Sequence, residues 1–333
     1  MKIKTLSLYP YEIPLTNGQI RRGTLVNIID QRGNSGWGEI APLPKWSTET
    51  LDDSLQQLNQ KQQEIMKVDW TARNCLQELG KLNLLPSVSF GLESALLSIL
   101  SPISNHTVST SALLMGSPEE IIQQAEIRHR EGYTSAKLKV SNLNFEEAAK
   151  IIHQLKDKFR LRIDVNRAWK TSESLRFFEQ FPLDTFDYVE EPFQDPNDLA
   201  VFPHPLAVDE SFPQDLSLEQ LERLPTLKAL IYKPTIQGGL LNCLPLYEWA
   251  KKRGIEIVLS SSFESDLGLA YIASLAYRLS ILSPVGIGTY YYLSRHICSP
   301  ALQFSHSFVH ILAQITPKMQ SASVRKEIVA SKL

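Results

Sequence analysis

Six polar residues, Lys137, Asp164, Glu190, Asp209, Lys233 and Ser261, follow one another at intervals of roughly 19 to 28 residues, each at or near the end of a short strand-like run. Three carboxylates brought to one place cannot all ionise without compensating charge. An all-oxygen set of that kind suits a hard cation, and Mg²⁺ keeps positions open for water or substrate. No histidine or cysteine neighbours them, which makes zinc a poor match. Such a cation can take a substrate carboxylate and stabilise the dianion formed when its α-proton leaves. Lysine is a fitting base there, because a close cation lowers its pKa. Lys137 and Lys139 share a strand face, so each is also expected to disfavour protonation of the other.

The elements that must carry these residues are strands. In Arg162-Ile163-Asp164-Val165-Asn166, alternation sends Arg162, Asp164 and Asn166 to one face and Ile163 and Val165 to the other. A strand with its return helix takes about 30 residues in a (β/α)8 barrel, so the series reads as successive barrel strands with lysines flanking three acids. All six fall near C-terminal strand ends, the face on which barrels build their sites. Taken singly, a Lys or Asp at a strand end is an ordinary cap or solvated charge, and Asp209 could cap the next helix. Six in register are not so easily dismissed. Glu191, next to Glu190, should point the other way and be structural. The seven histidines fall outside the register, and Pro42, Leu43 and Pro44 read as packing.

From Thr107 onward the alternation is regular. Strands are expected at Ser109 to Met115 and at Val285 to Thr289, the latter as the eighth. Helices are expected from Ser117-Pro118-Glu119-Glu120, over Asn144 to Lys156, Ser172 to Gln180, Ser217 to Arg223, Gly239 to Lys252 and Leu267 to Arg278. Before a boundary near Ser101 to His106 the chain is α+β. Two strand-like stretches flank an exposed loop at Thr16 to Gly23, and helical spacing follows over Thr50 to Lys67 and around Gly91 to Leu97. The division expected is a capping domain at 1–105, a barrel at 106–292 and a segment at 293–333 returning toward the capping domain.

Bulk properties narrow the partners. The 333 residues carry 34 Lys+Arg against 36 Asp+Glu, so neither nucleic acid nor an anionic membrane is implied. No apolar run reaches the ~20 residues of a membrane span. Cys75, Cys243 and Cys298 are scattered, with neither disulfide nor zinc spacing, which suits a reducing compartment, and the start lacks a signal-peptide core. A cytoplasmic enzyme is expected. The final Ser331-Lys332-Leu333 matches a peroxisomal address in a eukaryote, or is chance. Oligomeric state is open.

These residues resemble the enolase superfamily and, within it, the o-succinylbenzoate synthase family. The resemblance is carried by Lys137-Leu138-Lys139, Arg162 through Trp169, Val189-Glu190-Glu191-Pro192, Val208-Asp209-Glu210-Ser211, Lys233-Pro234 with Gly238-Gly239, Ser260 through Ser265, and Gly36 through Pro44. It implies a (β/α)7β TIM-like barrel under an α+β capping domain. Asp164, Glu190 and Asp209 would hold Mg²⁺, with Mn²⁺ as a substitute. Lys139 would take the α-proton of 2-succinyl-6-hydroxy-2,4-cyclohexadiene-1-carboxylate and return it to the departing hydroxyl. Lys233 would stabilise the enediolate from the opposite face, and Lys137 would support the bound carboxylate. Arg162, Asn166, Ser261 and Ser262 would contact this small-molecule carboxylate substrate or back the residues that do. Other members of the superfamily, such as dipeptide epimerases, N-acylamino acid racemases and muconate cycloisomerases, would use the same metal and lysines. A non-catalytic binding barrel is the alternative outside enzymes, though it has no need of both lysines and all three acids.

Overall fold

The computed structural model describes residues 1–313 and 315–318. The terminal Ser331-Lys332-Leu333 lies outside the described residues.

The chain opens as an antiparallel meander of β1 (Ile3–Pro14), β2 (Ile20–Asp30) and β3 (Ser35–Ile40). The loop expected at Thr16 to Gly23 is shorter. β2 already begins at Ile20, Arg21 is buried, and Gly23 packs so closely on the Tyr11 ring that a Cβ would lie 2.6 Å from its Cζ. Tyr11 and Gly23 are cross-strand partners, so the glycine makes room for the ring.

Three helices cover the meander: α1 (Leu51–Lys67), α2 (Cys75–Leu82) and α3 (Pro86–Leu100). Thr50 and Asp53 start α1 with a reciprocal capping box. The unit has its own core, including Ile28, Ile40, Trp70, Leu92 and Leu96.

β4 (His106–Ser109) follows, then β5 (Ala112–Leu114). The single strand expected over Ser109 to Met115 is thus two, in different sheets, because Thr110 and Ser111 turn the chain toward Ser307 and Val285. Strands and helices then alternate: α4 (Pro118–Arg130), β6 (Ser135–Lys139), α5 (Phe145–Leu155), β7 (Arg160–Asp164), α6 (Thr171–Phe178), β8 (Phe186–Glu190), β9 (Leu206–Val208), α7 (Leu218–Glu222), β10 (Leu227–Tyr232), α8 (Pro234–Gln237), α9 (Leu240–Lys251), β11 (Glu256–Leu259) and α10 (Asp266–Arg278). Side-chain caps at Ser117, Asn144, Ser217 and Ser265 start four of these helices, each satisfying an amide that the first turn leaves unpaired.

β5 to β11 form one parallel sheet in the order β11-β10-β9-β8-β7-β6-β5. Val285 and Gly286 close it, bridging Thr110 on one side and Ser260 on the other. The eighth strand is therefore far shorter than Val285 to Thr289, since Gly288–Tyr292 coils into a 3₁₀ turn. Alternation divides the side chains as the sequence demands. Leu138, Ile163, Val165, Val189 and Leu259 face the helices, and Tyr188, Ala207, Ala229, Ile231 and Val258 fill the barrel interior.

Beyond the seam, Ser294 N donates to Pro14 O at the end of β1. β12 (Cys298–Ser299) pairs with β15 (Thr316–Pro317), and the hairpin of β13 (Gln303–Ser305) and β14 (Phe308–Ile311) lies along β4. No helix among the described residues is long and apolar enough to cross a membrane.

Candidate active site

A cavity of about 120 Å³ opens at the C-terminal ends of the strands, floored by Tyr188, Ile231 and Val258. β6, β7 and β8 are adjacent and in register, with Lys139 paired to Asp164 and Asp164 to Glu190. Asp209 and Lys233 each directly follow a strand, β9 and β10. The parallel ladder therefore sets all five side chains on one rim. β6 and β10 lie four strands apart in a barrel of eight staves, so Lys139 and Lys233 face each other across the opening.

The lysines and acids are tightly paired. Lys137 Nζ donates to both Glu190 oxygens at 2.7 Å and stands 2.9 Å from Asp164 Oδ2. Lys139 Nζ is 3.5 Å from the same oxygen and donates to Asn166 Oδ1 at 3.1 Å. Lys233 Nζ is paired with Asp209 Oδ2. Burial alone would lower the Lys137 pKa, but Asp164 and Glu190 outweigh it and hold it well above the ordinary value. This reverses the expectation that Lys139 would hold Lys137 down, because the nearby carboxylates act more strongly than the second ammonium. Lys233 is likewise raised, with Asp209 overcoming its desolvation. Burial would raise the Asp164 carboxyl, yet Lys137 and Lys139 bring it down to about 2. Glu190 is pushed up by its own burial and by Asp164.

As the side chains stand, no three carboxylate, imidazole or thiol groups among the described residues close on a common point, because each acid is turned to a lysine. The donor set nonetheless fits a hard divalent cation. All its donors are oxygens, their strands are neighbours about 4.8 Å apart, and Asp164 Oδ2 is buried without a well-aligned hydrogen bond.

The other expected site residues differ in how free they are. Arg162 is 1 % exposed, donates to Asp187 Oδ2 at 2.9 Å and Pro284 O at 2.8 Å, and lies over the Tyr188 ring. Its remaining nitrogen, Nη2, has no partner and the residue lines the cavity. Asn166 has a left-handed backbone, φ +48°, and its own amide donates to Asp164 Oδ1, so the side chain folds back toward Lys139. Ser261 Oγ is engaged by Gly286 O and Thr289, at 2.9 and 2.7 Å. Ser262 Oγ has no partner, while its amide donates to Glu264 at 2.6 Å. Glu191 faces away from the lysines. It accepts from the amides of Asp209 and Ser211 and from the Ser211 hydroxyl, and so props the loop carrying Asp209.

Two wall residues had no marker in the spacing. Leu43 and Trp46 come from the N-terminal unit, and Lys233 Nζ lies 5.5 Å from the centre of the Trp46 ring. Leu43 belongs to a run read only as packing; Trp46 reaches the cavity only through contacts between distant parts of the chain. Glu210 adds a fourth acid beside Asp209; burial, with repulsion from Asp209 and Glu191, pushes it up to about 8.

Comparison with known proteins bears on this arrangement. Residues 120–315 match the family model described as "Enolase C-terminal domain-like", and residues 3–99 match "MenC, N-terminal domain". The chain is 31% identical to an o-succinylbenzoate synthase of Haemophilus influenzae, over 87% of this chain and 91% of that protein. It is 30% identical to one from Pasteurella multocida, over 86% and 89%. A mandelate racemase/muconate lactonizing protein from Herpetosiphon aurantiacus shares the fold, with a TM-score of 0.82 at 19% identity across 98% of both chains.

Proposed function

The chain belongs to the o-succinylbenzoate synthase family of the enolase superfamily, and from that premise we propose that it dehydrates 2-succinyl-6-hydroxy-2,4-cyclohexadiene-1-carboxylate to 2-succinylbenzoate, a step of menaquinone biosynthesis. The reaction is that of a carbon–oxygen lyase and uses a divalent metal. Mg²⁺ is our choice of metal, with Mn²⁺ as a substitute, and Asp164, Glu190 and Asp209 would hold it. When bound, the cation supplies Lewis-acid stabilisation of the charge that develops on the substrate carboxylate.

The observation that carries the reading is the opposition of two lysines across one cavity with three acids between them. Lys139 takes the α-proton. Its electron pair moves into the ring, and the resulting ammonium gives that proton to the hydroxyl leaving from the same face, so that water departs and the ring becomes aromatic. The Asn166 carbonyl steers the Lys139 amine. Lys233 faces the other side of the ring as a cation, and Lys137 keeps Glu190 and Asp164 compensated. Arg162 and Ser262 border the cavity with their unpartnered polar atoms buried, and would back the groups that touch the substrate. Ser261 supports the wall through Thr289. Three free, buried cysteines agree with a cytoplasmic setting.

Assay of the purified protein with Mg²⁺ on the cyclohexadiene carboxylate, beside a panel of dipeptides and N-acylamino acids, tests the proposal. Turnover of the first alone is expected. Epimerisation or racemisation without dehydration would overturn it.

A further inference from the structure

Two buried glutamates of the N-terminal unit have no part in the chemistry above, and both reach across to the barrel. Glu39, on β3, is fully buried. One oxygen accepts from the Tyr11 hydroxyl and from Ser265 N at 2.8 Å. The other accepts from Ser265 Oγ at 2.5 Å and Gly268 N at 2.8 Å. Ser265 caps α10 and Gly268 lies in its first turn. Glu93, on α3, is 3 % exposed and accepts from the amides of Leu240 and Leu241, the first two residues of α9.

Each carboxylate meets a glycine. A Cβ on Gly268 would lie 2.6 Å from Glu264 Cβ and 2.7 Å from Glu39 Oε2, and one on Gly239 would lie 2.3 Å from Glu93 Oε1. Each helix start thus has room for a carboxylate from another part of the chain, and that carboxylate satisfies amides the helix cannot pair itself.

What these helix starts adjoin gives the locks their meaning. Ser260, Ser261 and Ser262 run directly into α10, and Lys233 leads through α8 and Gly238 into α9. Glu39 itself is followed by the segment that carries Leu43 and Trp46. Arg21 closes the same joint, donating to Ala41 O, to Pro42 O at 2.8 Å and to Phe263 O at 3.0 Å.

We propose that Glu39 and Glu93 are positioning residues for this reaction, carboxylates through which the N-terminal unit sets two walls of the active site by holding the starts of α10 and α9. The inference rests on the dehydration reading for its kinetic consequences only. The Glu39 lock aligns the serine wall with Leu43 and Trp46, groups that hold the substrate rather than move its proton, so loosening it raises KM. The Glu93 lock aligns the Lys233 side, so loosening it lowers kcat.

The test compares Glu39→Gln and Glu93→Gln in the full chain with metal. Expected are a KM about tenfold higher with kcat nearly unchanged for Glu39→Gln, and a kcat about tenfold lower with KM nearly unchanged for Glu93→Gln. Hydrogen exchange, read without substrate, should quicken in 41–46 and 260–268 of Glu39→Gln and stay as in wild type in 186–190. Unchanged exchange in 260–268, or a uniform loss of activity that merely follows thermal stability, would overturn the proposal. If Glu39→Gln does not fold, Ser265→Ala removes part of the lock and carries the same two readouts. A wild type inactive on the cyclohexadiene carboxylate would count against the dehydration reading, while the exchange measurement would still decide the lock.

Discussion

Lys137 and Glu190 are joined face to face: the ammonium donates to both carboxylate oxygens at 2.7 Å from two strands away. Replacing Glu190 with Gln removes one formal charge from a site whose remaining acids already pair with lysines. Metal-dependent turnover should be abolished while the circular dichroism spectrum stays native. EDTA should silence the wild type, and Mg²⁺ should restore it. Full activity in rigorously metal-free buffer would end the metal assignment.

Glu191→Gln should behave differently, although it alters the neighbouring residue. Its carboxylate braces the amides of Asp209 and Ser211 and is not paired with a lysine. Titration of metal into this variant should give an affinity within a few-fold of wild type, with a stability loss of about 1–3 kcal/mol for a weakened buried hydrogen-bond set. Equal metal losses in Glu190→Gln and Glu191→Gln would show that the strand is bulged or that Glu190 is the wrong ligand.

Lys139→Ala should eliminate exchange of the substrate α-proton with deuterated solvent. Lys233→Ala should retain that exchange and lose about a hundredfold in rate, the ~3 kcal/mol attributable to one preorganised charge. The opposite pattern would place the base on β10 instead of β6.

Asp187 provides a pH test remote from the acids. Burial would raise its carboxyl, but hydrogen bonds from Lys228, Arg162 and Arg160 outweigh that and hold it well below the ordinary range. A carboxylate depressed on folding stabilises the native state above its unfolded value near 3.9, and that stability is lost as pH falls toward the folded value. Asp187→Asn, which leaves Arg162 without its buried partner, should cost roughly 3–5 kcal/mol at pH 7. Urea denaturation should show a smaller gap at pH 3 than at pH 7. A gap independent of pH would mean the ion pairs contribute nothing.

Trp46→Ala tests the wall supplied from outside the barrel. Loss of a ring 5.5 Å from the Lys233 ammonium should raise KM more than it lowers kcat. Steady-state kinetics showing neither change would remove Trp46 from the site.

The barrel was legible because its signal is periodic. Asp164 and Glu190 end adjacent strands, and Ile163 and Val165 turn outward because a strand alternates. Helix starts were legible where the cap is local, as at Ser117 and Asn144. What escaped depends on contacts between distant parts of the chain. Arg21 has loop-like neighbours in sequence, yet it is buried because Ala41, Pro42 and Phe263 offer carbonyls to it. The partner of Arg162 is Asp187 on the next strand, a register fact that composition does not carry. Trp46 lies outside the barrel rhythm altogether, and only the packing of the two units brings it to Lys233.

The two-residue seam at Val285 and Gly286 has a consequence for the chain as it is made. Until those residues leave the ribosome, Ala112–Leu114 and Glu256–Leu259 are bare parallel edges of an unclosed sheet. β4 must wait longer still, for Phe308–Ile311. Nascent chains that stop short of the seam would expose edges open to pairing with a neighbour, the state in which chaperone capture would act.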